Sequence, residues 1–337
     1  MARDYAGAVR AGAMAASRLH RELGLRESGD GAGASIDIFG AINTLELPLM
    51  LRPLKGLMGA FLNEPCPGIL IGTGWRMNIQ RFTAAHELGH CILKHQPSLD
   101  DEDQILRRVP LDADARNGYQ ETEADAFAVG FMMPKWLIVG HCARQGWRTA
   151  DLLRPEVVYQ LSLRLGASYE ATCRTLERYR LVALDDREAL LKVKPRPLKV
   201  DLLRDYRPAD YKGDVWLLTD RDQSARIDGS RDDLFVVRLE ERSTAGYVWN
   251  FEQLEASGFA VLRDVRESSD PEGIGSPVIR RVTAAPQDGP RGRIELKESR
   301  PWQATDPIAG LAVDFDLSGP EELGYSRAER RQMLEAA

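Results

Sequence analysis

Arg81-Phe-Thr-Ala-Ala-His-Glu-Leu-Gly-His-Cys-Ile-Leu93 decides the reading of the first half of the chain. Phe82, Ala85, Leu88, Ile92 and Leu93 recur at three- and four-residue spacing, so the segment reads as a helix with one apolar stripe. Inside it lies His86-Glu-Leu-Gly-His90, an H-E-x-x-H. Residues four apart share a helix face, so His86 and His90 present two imidazoles to one point, where Zn2+ is the expected ion. Glu87 is then the catalytic residue, a general base and acid that takes a proton from water and passes it to a leaving amine. Gly89 costs about 1 kcal/mol in a helix interior relative to Ala, which predicts another backbone packed closely against it.

A third ligand is expected on the next helix, roughly Tyr119 to Met133, which Pro134 ends. Ala124, Phe127, Ala128 and Phe131 define its inner face, and two glutamates compete for the metal. Glu121 precedes Ala124 and Ala128 by three and seven residues, and Glu123 precedes Phe127 by four. Periodicity favours Glu121 only slightly. Asp125, four residues after Glu121, is placed to orient a metal-bound imidazole from behind.

Together, Phe82-Thr-Ala-Ala-His-Glu-Leu-Gly-His90, Glu121-x-Glu-Ala-Asp-x-Phe-Ala128 and Met132-Met-Pro134 resemble the ImmA/IrrE family of metallopeptidases. The resemblance runs over roughly residues 6 to 185, through Tyr159-Gln-Leu-Ser-Leu-Arg-Leu-Gly-Ala-Ser168. It implies a small α+β, zincin-like and mostly helical fold, with Glu121 as the third ligand in the manner of gluzincins. It also implies an endopeptidase that cuts a helix-turn-helix repressor to release stress, DNA-damage, mobile-element or anti-phage defence genes. Many relatives have His where this chain has Lys94; His95 follows and reads as exposed.

Composition is that of an ordinary globular protein: 337 residues, 43% hydrophobic and 28% charged, which suits two domains. A net charge of −6 argues against a surface coated in nucleic acid. No signal peptide or bilayer-spanning run is read, and Cys66, Cys91, Cys142 and Cys173 have no CxxC spacing. A cytoplasmic protein with free thiols and no membrane partner is expected. Cys66, in Asn63-Glu-Pro-Cys-Pro-Gly68, is a candidate cysteine switch, a thiolate able to fill the metal's open position from a strand bordering the cleft. The rhythm of Leu161, Gly166 and Arg180 is also that of a helix-turn-helix, though its leucines suit packing against the peptidase core.

Beyond a charged, proline-bearing linker over 191–211, the period changes to two. Short runs at Val215–Thr219, Leu234–Leu239, Tyr247–Phe251, Phe259–Val265, Val278–Thr283, Arg293–Ser299 and Leu311–Leu317 predict an all-β immunoglobulin-like sandwich over 212–320. Ser243-Thr-Ala-Gly-Tyr-Val-Trp249 and Arg300-Pro-Trp302 are similar to two binding loops of chagasin-type cysteine-peptidase inhibitors, with Gly273–Pro277 at the place of the third. The resemblance covers about 212 to 318. The Asn-Pro that opens the first loop in that family is replaced by Glu241-Arg242. Tyr247, Trp249, Arg300 and Trp302 are the candidate ligand-loop residues.

The expected organisation is a peptidase domain over 1–190, the linker, the sandwich as a sensor or recruitment domain, and a charged tail over 321–337. A repressor protein is the expected substrate, and single-stranded DNA a candidate activator. The competing reading is a non-catalytic or DNA-binding regulator that uses the peptidase fold as a binding module. Tyr119 and His141 are the candidate oxyanion stabilisers.

Overall fold

The computed structural model describes residues 4–25, 34–64, 66–96, 99–101, 119–268, 278–303 and 305–335. The chain is α+β, a helical first part followed by two β-sheets. The Gly273–Pro277 loop, most of the acidic stretch after Asp100, and the glycine-rich break at 29–33 lie outside the described residues.

Helix α1 (Tyr5–Glu22) and helix α2 (Ile38–Thr44) precede three strands, β1 (Leu49–Arg52), β2 (Leu57–Leu62) and β3 (Gly68–Gly72). The metal-motif helix α3 (Met77–Leu93) follows, then β4 (Leu99–Asp101) and α4 (Gln120–Met132). The four strands form a sheet of order β1-β3-β2-β4, with β1 and β3 parallel and the other pairs antiparallel. Two glycines set the helix packing. A Cβ on Gly12 of α1 would lie 2.1 Å from the Glu123 carbonyl oxygen of α4, and one on Gly89 of α3 would lie 3.2 Å from the Ala124 Cα. Helix α4 is therefore clasped by α1 and α3 at close range, as the interior glycine of α3 predicts. Its inner side chains Phe127, Ala128 and Phe131 are fully buried in the first core.

Helices α5 (Lys135–Gln145), α6 (Pro155–Leu165) and α7 (Tyr169–Arg178) continue this core. The α6–α7 turn has the rhythm of a helix-turn-helix, with Gly166 left-handed and Ser168 capping α7. Yet Leu161, Leu165 and Leu176 are buried in the first core, so the pair packs inward. Gln120–Gln145 is long and apolar enough by composition to cross a membrane, but more than half of it is buried within the protein. Pro134 also separates α4 from α5.

Helix α8 (Leu184–Lys192) and helix α9 (Pro195–Leu203) occupy much of the segment read as a linker. Two prolines early in α9 hid it from the sequence, although proline is well tolerated in a first helical turn. The second part has eight described strands: β5 (Val215–Leu218), β6 (Ala225–Asp228), β7 (Leu234–Glu241), β8 (Val248–Asn250), β9 (Phe259–Ser268), β10 (Val278–Pro286), β11 (Arg291–Ser299) and β12 (Ala309–Asp316). They form two sheets, ordered β5-β7-β10-β9 and β6-β12-β11-β8, over a core of Trp216, Phe235, Trp249, Phe259, Leu296 and Phe315. Seven of these strands coincide with the predicted runs. The one added, β6, is only Ala-Arg-Ile-Asp and pairs in parallel with the end of β12.

The two parts are joined by side chains as well as by the chain. Gln160 of α6 donates its amide to Val215 O at 2.8 Å and accepts the Leu217 N–H at 2.9 Å, so it acts as a strand partner for the edge of β5. Arg164 donates to Leu217 O and Asp222, and the Tyr159 hydroxyl donates to Asp214. The segment expected as a charged tail folds back onto the first part. Helix α11 (Arg327–Glu335) places Ala328 in the first core, and Gln80 of α3 exchanges hydrogen bonds with the Glu321 backbone at 2.9 and 2.6 Å. A short helix, α10 (Glu252–Ala256), lies between β8 and β9.

Candidate metal centre

Helix α3 carries His86, Glu87 and His90, and α4 crosses it with Glu121 toward them. His86 Nε2 lies 2.9 Å from His90 Nε2 and 3.2 Å from Glu121 Oε2, which is 3.5 Å from His90 Nε2. These three residues form the described cluster able to hold a metal ion. Glu123 meets His95, and Glu121 is the glutamate that lies beside the His86 and His90 imidazoles. Glu87 is 1% exposed on the same helix. Burial pushes the Glu121 carboxyl up, but the two imidazoles beside it, His86 and His90, outweigh that and hold the group well below the usual carboxylate range.

Each imidazole is held from behind. His86 Nδ1 is 3.0 Å from Asp125 Oδ1, the orienting contact expected of Asp125. His90 Nδ1 meets His95 Nδ1 at 3.0 Å, and His95 Nε2 meets Glu123 Oε2 at 2.9 Å. The network assigns the protons: His90 Nδ1–H donates to His95, and His95 Nε2–H donates to the carboxylate. Both motif histidines thus turn an Nε2 lone pair toward one point beside a carboxylate oxygen. That acceptor-only donor set fits a cation.

His95 is the residue the sequence misplaced. It is 7% exposed, not a surface side chain. Lys94 adopts a left-handed conformation, φ 56°, and the Lys94 and His95 N–H groups donate to Cys91 O and His90 O. This Schellman turn folds His95 back beneath His90. Burial lowers its pKa, opposed by the Glu123 hydrogen bond.

Other candidates lie apart from the cluster. Cys66 is exposed in the turn before β3, an inner strand of its sheet, and its sulfur is not among the converging ligand atoms. All four cysteines are free. His141 on α5 is buried, with its pKa pushed down to about 4 by burial and then by Arg164 and Arg144. Tyr119 sits half-buried at the start of α4, two residues before Glu121.

In the second part, Trp249 is a core residue whose indole N–H donates to Glu240 O, while Trp302 is 74% exposed. The Arg300 guanidinium stacks over Tyr247 at 4.6 Å, and the Trp302 ring covers Gly246, where a Cβ would lie 2.9 Å from the indole. Glu241 and Arg242, which stand where the resembling family has Asn-Pro, root this loop. Buried Glu241 accepts the Trp249 N–H and pairs with Arg266 and Arg280, and buried Glu298 pairs with Arg242.

Residues 42–177 match the model of the IrrE N-terminal-like domain, Peptidase_M78, and residues 230–314 match that of the chagasin family peptidase inhibitors, I42. The chain is similar to Amoebiasin-2 of Entamoeba histolytica, 29% identical over 100 residues that are 29% of this chain and 80% of that protein. It is also similar to the crystal structure of the Entamoeba histolytica cysteine protease inhibitor EhICP2, with 24% identity and a TM-score of 0.28, over 32% of this chain and 99% of that one. The solution structure of amebosin matches at 17% identity and a TM-score of 0.25, over 31% of this chain and 96% of that one.

Proposed function

We propose that this chain, which joins an IrrE-type metallopeptidase-like domain to a chagasin-family β-sandwich, is a zinc endopeptidase whose substrate is a helix-turn-helix transcriptional repressor. The observation that carries the reading is the convergence of His86, His90 and Glu121 with Glu87 buried on the same helix. Zinc suits the spacing. With bonds of about 2.0 to 2.1 Å, the ligand atoms of a tetrahedral site stand roughly 3.3 Å apart; here they are 2.9, 3.2 and 3.5 Å apart. When bound, zinc supplies a Lewis acid that polarises a peptide carbonyl and acidifies water. Glu87 takes the proton from the attacking water and returns it to the departing amine. Asp125 and the His95–Glu123 pair fix the ring orientation and the tautomer of the two histidines.

The sandwich fits a recruitment or sensing role, with Tyr247, Arg300 and Trp302 displayed on a loop pair rooted by Glu241 and Glu298. Control of repressor cutting, and with it a cytoplasmic switch for stress or defence genes, belongs to the same reading. It is tested by incubating the full chain, zinc-loaded, with the repressor encoded beside it, with and without single-stranded DNA. Glu87→Gln should retain stoichiometric zinc and lower cleavage by roughly 10²- to 10⁴-fold, the usual contribution of a general base. Cleavage surviving at the wild-type rate in Glu87→Gln overturns the mechanism. No cleavage of any candidate repressor by the wild type leaves a binding regulator as the better description.

A further inference from the structure

Arg81, five residues before His86 on α3, is a buried cation with no direct ion pair among the described residues; Asp228, Asp37 and Glu321 attract it only from a distance. It is 4% exposed, and its guanidinium lies against Gly166, where a Cβ would come within 2.7 Å of Cζ. It donates one hydrogen bond, to Ile36 O at 2.6 Å, while its Nε has no partner. Nearby carboxylates are engaged elsewhere. Asp228 pairs with Arg226 and Arg327 and accepts from Ser35; Asp37 pairs with Arg331 and caps α2; Glu321 pairs with Arg327 and Arg330. Burying a charge without a direct ion pair is unfavourable, and with its Nε unpartnered this guanidinium can take a further anionic partner.

Arg81 faces a cavity of about 140 Å³ at the seam between the two parts, enclosed by α2, α3, β6 and α11. Four arginines line it, Arg81, Arg226, Arg327 and Arg331, beside two aspartates, Asp37 and Asp228; Arg327 also pairs with Glu321 and Arg331 with Asp316, which leaves Arg81 as the arginine without a direct ion pair. A cavity of about 150 Å³ admits a six-carbon ring, so a phosphate group with a short substituent fits. Guanidinium forks match phosphate oxygens in geometry as well as charge.

We infer that this seam binds a phosphate dianion, either inorganic phosphate or a small phosphomonoester, held by Arg81 from the peptidase side and by Arg226 and Arg331 from β6 and α11. The ligand bridges the metal-motif helix and the sandwich, so its binding tightens the seam on which α3 rests. Binding itself is independent of the peptidase reading; any effect on cleavage rests on it.

The test uses full-length, metal-stripped protein, so that a failure of the peptidase reading cannot imitate a failure here. Thermal unfolding and calorimetric titration are run with inorganic phosphate and with glycerol 3-phosphate, each against chloride at matched ionic strength. Saturable stabilisation by at least one probe is expected; a stronger response to glycerol 3-phosphate assigns the site to phosphomonoesters, and equal responses assign it to phosphate alone. Arg226→Gln and Arg331→Gln should each weaken binding by about tenfold or more, the loss of a charge-assisted hydrogen bond, with unchanged circular dichroism. Arg81→Lys, which keeps the charge and loses the fork, should also weaken it. Absence of chloride-corrected stabilisation by either probe overturns the proposal. So does stabilisation that persists undiminished in Arg226→Gln and Arg331→Gln.

Discussion

Two sets of buried histidines in the helical part have opposite surroundings. His86, His90 and His95 are packed among acids: Glu121 reaches the first two, Asp125 backs His86 and Glu123 backs His95. His141, equally buried on α5, has Arg144 and Arg164 as its charged neighbours of greatest influence. Burial alone therefore says little about what an imidazole does. Acids around it fix its protons and prepare it for a cation; burial, reinforced by arginines, keeps it neutral and leaves it a packing residue.

The largest effect that separates the two sets is on metal content. Glu121→Ala removes one of three converging ligands and should abolish stoichiometric zinc, measured by elemental analysis after dialysis. His141→Leu should leave zinc unchanged. Zinc retained in Glu121→Ala and lost in Glu123→Ala would reverse the ligand choice.

Next in size is a pH effect at His141. Its pKa falls from 6.5 to about 4 on folding, so the unfolded chain binds more protons between those values. Above pH 6.5 the ring is neutral in both states and stability is undiminished; as pH falls from 6.5 toward 4 the unfolded chain gains a proton that the folded one refuses, and stability is lost. A depression of that size corresponds to about 3 kcal/mol. Urea unfolding of metal-free protein at pH 7 and pH 4.5 should therefore show a smaller acid loss in His141→Leu than in the wild type. Equal losses would show that His141 does not carry the effect.

Much of this was legible in the sequence because it is local. The period of α3 fixed a shared face for His86 and His90, the interior Gly89 announced the close approach of α4, and alternation marked seven strands of the sandwich. His95 was not legible. Five residues from His90 is not a helical neighbour; contact arises only because Lys94, a non-glycine residue, turns left-handed and reverses the chain. The fate of residues 321–335 was equally hidden, since a charged composition suits a solvated tail. Arg327 and Glu321 pair with each other in a buried setting, and Gln80, more than two hundred residues earlier, holds the Glu321 backbone. The seam cavity has the same origin, because Arg81, Arg226 and Arg331 meet only in the assembled fold.

The smallest expected effect probes the acid furthest from the metal point. Glu123 touches neither converging nitrogen; it acts through His95 on His90. Its carboxylate accepts the His95 Nε2 proton, which leaves His95 Nδ1 free to accept from His90 and turns the His90 Nε2 lone pair toward Glu121 and His86. In Glu123→Gln the amide can still accept through its oxygen, but it lacks the negative charge that strengthens the chain, and its nitrogen can rotate into the same place. Loss of a partner in such a relay costs roughly 10- to 100-fold in metal affinity. Competition against a chelator should show that weakening without loss of helix content, and His95→Gln should match it rather than add to it, because both changes break one chain. Additive losses in the double variant would mean that Glu123 and His95 act separately, and the relay through His90 would have to be abandoned.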